Sequence, residues 1–149
     1  MDDPNALGNR KAEHIHINLD EDVQSSLNTG FDRLRFEHQA LPDFDLESID
    51  TSTTFLGKTI KVPLLISSMT GGTEEAERIN QNLAQTAQTM SIAMGLGSQR
   101  AAIEDQKAVR SFDVRKIAPE ILLFANLGAV QLNYGYSIDH CMRVVDMVE

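Results

Sequence analysis

Three short apolar runs recur at equal intervals in the second half of the chain, and their spacing limits the folds that it can adopt. The runs are centred on Leu64, Ala93 and Leu122, so that each step is 29 residues long. This is the length of one β/α unit, a buried strand followed by a helix. Runs that are apolar throughout are typical of strands covered on both faces, as in parallel sheets. We therefore predict an α/β fold in which residues 63–149 form three consecutive β/α units.

The segments between these runs carry helix signals. Thr73 is predicted to cap a helix that ends near Met90, because acidic residues fill its first turn and apolar residues follow at helical spacing. A second helix is predicted over Ala108–Ile117, where Pro119 closes the segment, and Ser137 is predicted to cap a third. Helices that alternate with buried strands pack against the faces of a parallel sheet.

Residues 1–62 precede this regular part and are interpreted as a polar leader. Gly30–His38 is predicted to form a short helix, and Pro42–Asp50 an extended connection. Thr53–Ile60 has apolar or β-branched residues on both sides of a Gly57–Lys58 turn, so a small hairpin is predicted there.

The charge balance bears on which partners the chain can bind. It has 13 Lys and Arg residues against 22 Asp and Glu residues, a formal net charge of −9. A nucleic-acid-binding protein would show a basic face, so we expect no nucleic-acid partner. No apolar run approaches the length of about 18 residues that a membrane span needs. Met1–Pro4 lacks the apolar stretch of a secretory signal, and Cys141 is the only cysteine. These features predict no membrane partner and a cytoplasmic location.

Three β/α units fit two architectures. A doubly wound sheet needs only a few more strands, whereas a (β/α)₈ TIM barrel takes about 250 residues. The 149 residues present would hold only the first part of a barrel that carries a leader of this length. Spacing alone leaves both architectures open.

Small and polar residues follow each apolar run, as Ser67–Gly72, Gly95–Arg100 and Asn126–Ala129. Ligands of parallel β/α folds bind at the carboxyl ends of the strands. At that position Asn126 could pair with the edge of a heterocycle and Arg100 with a phosphate. Each motif alone could equally form a turn, but their coincidence at three successive strand ends favours a shared ligand site.

The histidines and the cysteine give weaker signals. His14 and His16 are two residues apart, as in a pair of metal ligands on a strand, but no third ligand lies nearby in the sequence. We therefore interpret them as solvated or substrate-proximal residues and predict no metal site in this sequence. His140 is expected at the surface, and Cys141 is expected to pack rather than to act as a nucleophile.

Four motifs, taken together and in order, resemble type 2 isopentenyl diphosphate isomerase. They are Arg10–Ile15, Met69–Gly72, Met94–Arg100 and Asn126–Ala129, and the Phe31–Phe36 stretch fits the same family. Each motif is weak alone, but four of them with these separations are specific. The resemblance runs from about residue 10 to the last residue, which is nearly the whole chain.

The resemblance implies an FMN-dependent (β/α)₈ TIM barrel, of which this chain holds a leader and about the first three β/α units. It implies the interconversion of isopentenyl diphosphate and dimethylallyl diphosphate in isoprenoid biosynthesis. Reduced FMN and Mg²⁺ are the implied cofactors, with NADPH as the reductant. A cytoplasmic homo-oligomer is expected for the full-length protein.

The resemblance also implies roles for individual residues. Those expected to lie against the flavin are Ser68, Met69, Thr70, Ser98 and Asn126. Those expected to hold the diphosphate are Arg10, Lys11, Ser98, Gln99 and Arg100. The catalytic acid and base are unknown and are expected beyond residue 149, as are the metal ligands. The chain on its own is therefore expected neither to retain FMN nor to catalyse the reaction.

Two alternatives stay open. An FMN-dependent hydroxy-acid oxidase or dehydrogenase also carries small polar residues after its early strands, but Arg10–Lys11 and Ser98–Arg100 favour a diphosphate over a carboxylate. A non-catalytic truncated product or a binding module would expose an unpaired strand edge. It would have to bury that edge by self-association or against a partner.

Overall fold

The computed structural model describes residues 6–149, so the prediction made on Met1–Pro4 lies outside the described residues. The α-helices are α1 (Ala6–Asp20), α2 (Glu74–Met90), α3 (Arg100–Glu104) and α4 (Ile138–Asp146). The strands are β1 (Thr53–Phe55), β2 (Lys58–Ile60), β3 (Leu65–Ile66), β4 (Ala93–Gly95) and β5 (Leu123–Phe124).

The three strands predicted from the 29-residue spacing form one parallel sheet in the order β3-β4-β5. Leu65 lies beside Ala93, and Met94 lies beside Leu123. The β4 strand is in the centre and is buried along its whole length. The fold is therefore α/β with a partial parallel sheet, as the apolar runs predicted.

Helix α2 follows β3 and confirms the prediction made from its capping residue. The Thr73 hydroxyl accepts a hydrogen bond from the Ala76 amide at 3.1 Å, and acidic residues fill the first turn. The helix ends at Ser91, which adopts the left-handed conformation. The buried face consists of small side chains and one amide: Ala76, Asn80, Ala84 and Ala87.

The core lies between this sheet, α2 and the segments that follow β4. Its largest fully buried apolar side chains are Phe112, Met94, Leu96 and Val114. Each side chain of this kind contributes about 1.5–3 kcal/mol when it is withdrawn from water. Arg115 links the last residues of the chain to the start of β5, because its guanidinium donates to the carbonyls of Ile121 and Val148 at 3.0 and 2.6 Å.

The prediction of one helix over Ala108–Ile117 is wrong. Between β4 and β5 the chain instead forms the short helix α3 and, after a break, a 3₁₀ helix at Gln106–Phe112, which ends before Ile117. The break occurs at Asp105, whose backbone is extended and whose carboxylate accepts from the Lys107 amide at 2.9 Å. An aspartate that caps a new helix in this way ends the preceding one.

The leader differs from its prediction in three places. Helix α1 was not predicted. Gly30–His38 forms only a 3₁₀ turn at Phe31–Arg33, because the backbone becomes extended at Leu34. Pro42–Asp50, predicted as extended, contains a second 3₁₀ turn at Leu46–Ser48.

The hairpin of β1 and β2 is confirmed, with Thr53 beside Ile60. Its turn, however, lies at Leu56–Gly57 rather than at Gly57–Lys58. Both turn residues have positive φ, as in the type I′ turns that match the twist of paired strands. None of the described helices is long and apolar enough to cross a membrane.

Candidate site at the carboxyl ends of the parallel strands

The segments that follow β4 and β5 run side by side. The Leu96 amide donates to the Phe124 carbonyl at 3.0 Å, and the Gln99 amide donates to the Asn126 carbonyl at 2.8 Å. These two bonds extend the strand pairing past the ends of the regular sheet. Asn126 is therefore held beside the Ser98–Arg100 segment.

The segment that follows β3 lies against β4 and its extension on the other side. A Cβ atom placed on Gly95 would lie 2.6 Å from the Ser68 hydroxyl oxygen, and one placed on Gly97 would collide with the Thr70 backbone. Glycine is therefore required at Gly97, where the obstacle is backbone, whereas at Gly95 the Ser68 hydroxyl could rotate away. The two glycines serve backbone packing, and by doing so they bring all three strand ends to one rim.

A buried amide and a buried hydroxyl hold the segment after β3 in place. Asn80 of α2 donates to the carbonyls of Thr70 and Ser111, at 3.1 and 2.8 Å. The Ser111 hydroxyl accepts from the Gly72 amide at 2.6 Å. Sequence analysis missed both residues, although a polar side chain on the alanine-rich face of α2 was a usable signal.

Four polar side chains on this rim are free to bind a ligand. Within the described part of the chain, their hydroxyl and amide groups make no hydrogen bonds, and all four are exposed or half-buried. They are Ser68, Thr70, Ser98 and Asn126. The exposed Met69 side chain lies on the same segment as Ser68 and Thr70. Unengaged donors and acceptors beside small residues are the groups that recognise the polar edge of a flat heterocycle.

Helix α1 brings its basic residues to this rim. A cavity of about 270 Å³ lies between α1 and the strand ends. It is lined by Arg10, Lys11, His14, Met69, Ser98, Arg100, Ala101 and Gln131. The cavity thus joins the leader to the segments after β3 and β4, although these are far apart in the sequence.

Lys11 is the most constrained cation of the cavity. Its Nζ donates to the Ser98 carbonyl at 3.2 Å and lies 5.3 Å from the centre of the Phe112 ring. Burial, together with the smaller effect of the positive charge of Arg100, lowers the pKa of Lys11 to about 8. Two cations held close together in a partly buried cavity favour the binding of an anion.

Arg100 is held by an acidic neighbour on α3. Its guanidinium lies 3.6 Å from the Glu104 carboxylate, and that carboxylate accepts from the Tyr136 hydroxyl at 2.7 Å. Burial raises the pKa of Tyr136 to about 12, with a further contribution from the hydrogen bond to Glu104. Tyr136 therefore stays protonated and keeps Glu104 beside Arg100.

Gln99, which was expected to hold a diphosphate, lies elsewhere. Its side chain is fully buried, at 0% exposure. Its Oε1 accepts from the Asn126 amide at 3.0 Å, and its Nε2 donates to the Val144 carbonyl at 3.1 Å. Both ends of the carboxamide are therefore engaged inside the protein, away from the cavity that Arg100 lines.

The remaining polar candidates are structural or isolated. His140 caps α4, since the Ser137 amide donates to its Nδ1 at 3.1 Å. His14 lines the cavity, whereas His16 is exposed. Cys141 is a free, half-buried thiol. Among residues 6–149, no group of three or more His, Cys, Asp or Glu side chains could hold a metal ion.

The geometry described above is that of a ligand site on the rim of a parallel α/β sheet, and comparison with known proteins gives its class. A family model described as FMN-dependent dehydrogenase matches residues 7–117. The chain belongs to this family, whose fold is the TIM barrel.

Individual relatives are more specific. The chain is 58% identical to an isopentenyl-diphosphate delta-isomerase of Nostoc sp. and 57% identical to one of Synechocystis sp., in both cases over 94% of this chain and 40% of the relative. It is 50% identical to a protein of the same name from Rickettsia rickettsii, over 100% of this chain and 44% of the relative. The resemblance found in the motifs is thus confirmed. The chain spans about two fifths of the length of these curated relatives.

Proposed function

We propose that this chain supplies the diphosphate-binding part, and one side of the flavin-binding part, of an FMN-dependent isopentenyl-diphosphate delta-isomerase. The reaction would interconvert isopentenyl diphosphate and dimethylallyl diphosphate. The observation that carries the proposal is the convergence of Arg10, Lys11 and Arg100 on one cavity beside the polar rim. The names of the relatives supply the substrate.

The cations of the cavity suit a diphosphate. An anion placed among them would replace the repulsion between Lys11 and Arg100 by attraction to both. Arg100 offers a planar fork of donors that matches phosphate oxygens, and Lys11 adds a point charge. The ion pair between Arg100 and Glu104 is partly exposed and therefore weak, so it can give way to a stronger anion.

The space beside the cations suits a short hydrocarbon. A second cavity of about 220 Å³ shares Lys11, His14 and Met69 with the first. The rest of its lining is largely apolar and includes Ile15, Leu19 and Ile79. A charged cavity and an apolar cavity that share a wall match a molecule with a diphosphate at one end and a branched five-carbon chain at the other.

The free side chains of the rim fit FMN. Ser68, Thr70 and Ser98 can each donate and accept, and the Asn126 carboxamide offers a donor and an acceptor side by side. Reduced FMN, when bound, supplies the proton-transfer chemistry that moves the double bond. The residues of this chain would orient the flavin edge and hold the diphosphate so that the hydrocarbon stays at the rim.

Several expectations belong to the whole protein. We propose a (β/α)₈ barrel in which residues 1–62 are the leader and residues 63–149 the first three units. NADPH would reduce the flavin, and the protein would be a cytoplasmic homo-oligomer. The described residues do not fit a Mg²⁺ site, so no role of Mg²⁺ is assigned to them.

The proposal is tested by Arg100→Ala in the full-length, flavin-loaded protein, with isopentenyl diphosphate as substrate. Loss of a charged hydrogen bond is worth about 1.5–3 kcal/mol, so the KM should rise about 10- to 150-fold. FMN retention should stay unchanged. Arg110→Ala is the matched control, because Arg110 is exposed and pairs with Glu77 at 3.4 Å, outside the cavity. An equal KM in both variants would refute the assignment of the cavity.

A second candidate function follows from the description of the matching family. An FMN-dependent dehydrogenase of this kind would oxidise a 2-hydroxy acid and thereby reduce its flavin. Anaerobic mixing with a panel of 2-hydroxy acids, followed by flavin absorbance, separates the two. Bleaching by a hydroxy acid without turnover of isopentenyl diphosphate would favour the dehydrogenase. Absence of both, with the protein self-associated on size exclusion, would favour a non-catalytic product.

A further inference from the structure

Gln99 occupies a junction between three elements. It directly precedes α3, and its backbone amide and its side-chain oxygen bind the carbonyl and the amide of Asn126, at 2.8 and 3.0 Å. A single residue thus engages both backbone polar groups of Asn126. Its Nε2 reaches the other way, to the Val144 carbonyl of α4 at 3.1 Å and to the Met147 sulfur at 3.5 Å.

The chemistry of this junction calls for a carboxamide. The side chain must accept from an amide at one end and donate to a carbonyl at the other, and a primary amide does both with separate atoms. A carboxylate could only accept, and an apolar side chain of the same size could do neither. Because Gln99 and Val144 are both buried, the Val144 carbonyl would have no water to replace a lost bond from Nε2.

We propose that Gln99 is a positioning residue that holds Asn126 in register with Ser98 and so sets the flavin-binding face of the rim. It acts through the backbone of Asn126 and touches neither cavity. This inference rests on the proposed function for its consequence in flavin binding. The positioning itself can be measured without flavin.

The first measurement is amide hydrogen exchange in the protein without added ligand. Gln99→Leu removes the acceptor of the Asn126 amide, so exchange there should become at least tenfold faster. The Met94 amide, which donates to the Leu122 carbonyl at 3.0 Å within the same sheet, should keep its rate. Gln99→Glu retains an acceptor and should therefore restore slow exchange at Asn126.

The second measurement separates positioning from a general loss of stability. In the full-length protein, Gln99→Leu should weaken FMN binding about tenfold, whereas the affinity for inorganic pyrophosphate should change less than threefold. Arg115→Lys is the control, because Arg115 binds the carbonyls of Ile121 and Val148 and lines neither cavity. It should lower stability without changing the ratio of the two affinities.

The outcomes distinguish the two proposals. Unchanged exchange at Asn126 in Gln99→Leu, or an increase shared equally with Met94, would overturn the positioning role. Faster exchange at Asn126 with unaltered FMN affinity would overturn its link to the flavin. If the unsubstituted full-length protein binds no FMN while Asn126 exchange responds as expected, the proposed function fails and the positioning role stands.

Discussion

The lowered pKa of Lys11 predicts an unusual pH dependence of anion binding. An ordinary lysine, with a pKa near 10.4, stays charged between pH 7 and pH 9. Burial and the neighbouring charge of Arg100 bring the pKa of Lys11 to about 8. About nine tenths of Lys11 is therefore charged at pH 7 and about one tenth at pH 9. If only the charged form binds, the affinity for a diphosphate falls about tenfold over this range, which corresponds to about 1.4 kcal/mol.

The direction of the pH effect depends on whether the free or the anion-bound protein holds the Lys11 proton more tightly. A bound dianion favours the ammonium form, so the pKa of Lys11 rises in the complex, and binding above pH 8 takes up a proton. Each step to higher pH therefore costs affinity until the pKa of the complex is reached. A lysine with its ordinary pKa would show no such loss below pH 9.

Calorimetric titration with inorganic pyrophosphate at pH 7, 8 and 9 measures this effect. Pyrophosphate also loses a proton in this range, so the comparison must be made with Lys11→Arg, whose guanidinium stays charged. The ratio of the two dissociation constants should grow about tenfold from pH 7 to pH 9. Repeating the comparison with His14→Gln in both proteins removes another titratable side chain of the cavity.

A ratio that stays constant between pH 7 and pH 9 would refute the reasoning. It would mean either that Lys11 remains charged at pH 9 or that it does not contact the anion. Lys11→Met separates these cases, because it weakens binding at pH 7 only if the ammonium contacts the anion.

Two further predictions concern the packing that forms the rim. Asn80→Ala leaves the carbonyls of Thr70 and Ser111 without their donor, so the free energy of unfolding measured in urea should fall by about 1–3 kcal/mol. Asn82→Ala, on the exposed face of α2, should lower it by less than about 0.5 kcal/mol. Gly97→Ala forces a methyl group against the Thr70 backbone and should lower the free energy of unfolding by about 1–3 kcal/mol. Gly128→Ala is the control, because the atom nearest to the new methyl group would lie at 3.8 Å, so the free energy of unfolding should change little. Equal losses within either pair would contradict the packing described above.

The elements that the sequence predicted are those with strong local signals. Helix α2 has a capping residue, an acidic first turn and one face of small side chains, and each of these acts within a few residues. The strands β3, β4 and β5 coincide with apolar runs at a constant spacing. From these strands it could be predicted that Arg100 and Asn126 lie on a common rim, because the carboxyl ends of parallel strands share one edge of the sheet.

The elements that were missed depend on distant contacts. Helix α1 has no acidic residue in its first turn and no basic residue in its last turn, and its Lys11 contact with Ser98 joins residues 87 positions apart. The sequence also carried no signal that the Gln99 side chain is buried whereas the Arg100 side chain lines the cavity. Gln99 lies in the irregular turn after β4, and Arg100 begins the short helix α3, so the period of 2 of a strand does not extend to them and the period of 3.6 is only starting.

The distance in sequence between the two halves of the anion site links ligand binding to folding. Lys11 belongs to α1, whereas Ser98 and Arg100 follow β4, so the cavity exists only when α1 is docked on the sheet. Docking brings the Lys11 ammonium close to Arg100 in a partly buried place, which opposes the contact when no anion is present. An anion in the proposed site would replace this repulsion by attraction and would therefore stabilise the docked position of α1. In that case the charges of Lys11 and Arg100 would link leader docking to the ligand, within a chain whose net charge is −9.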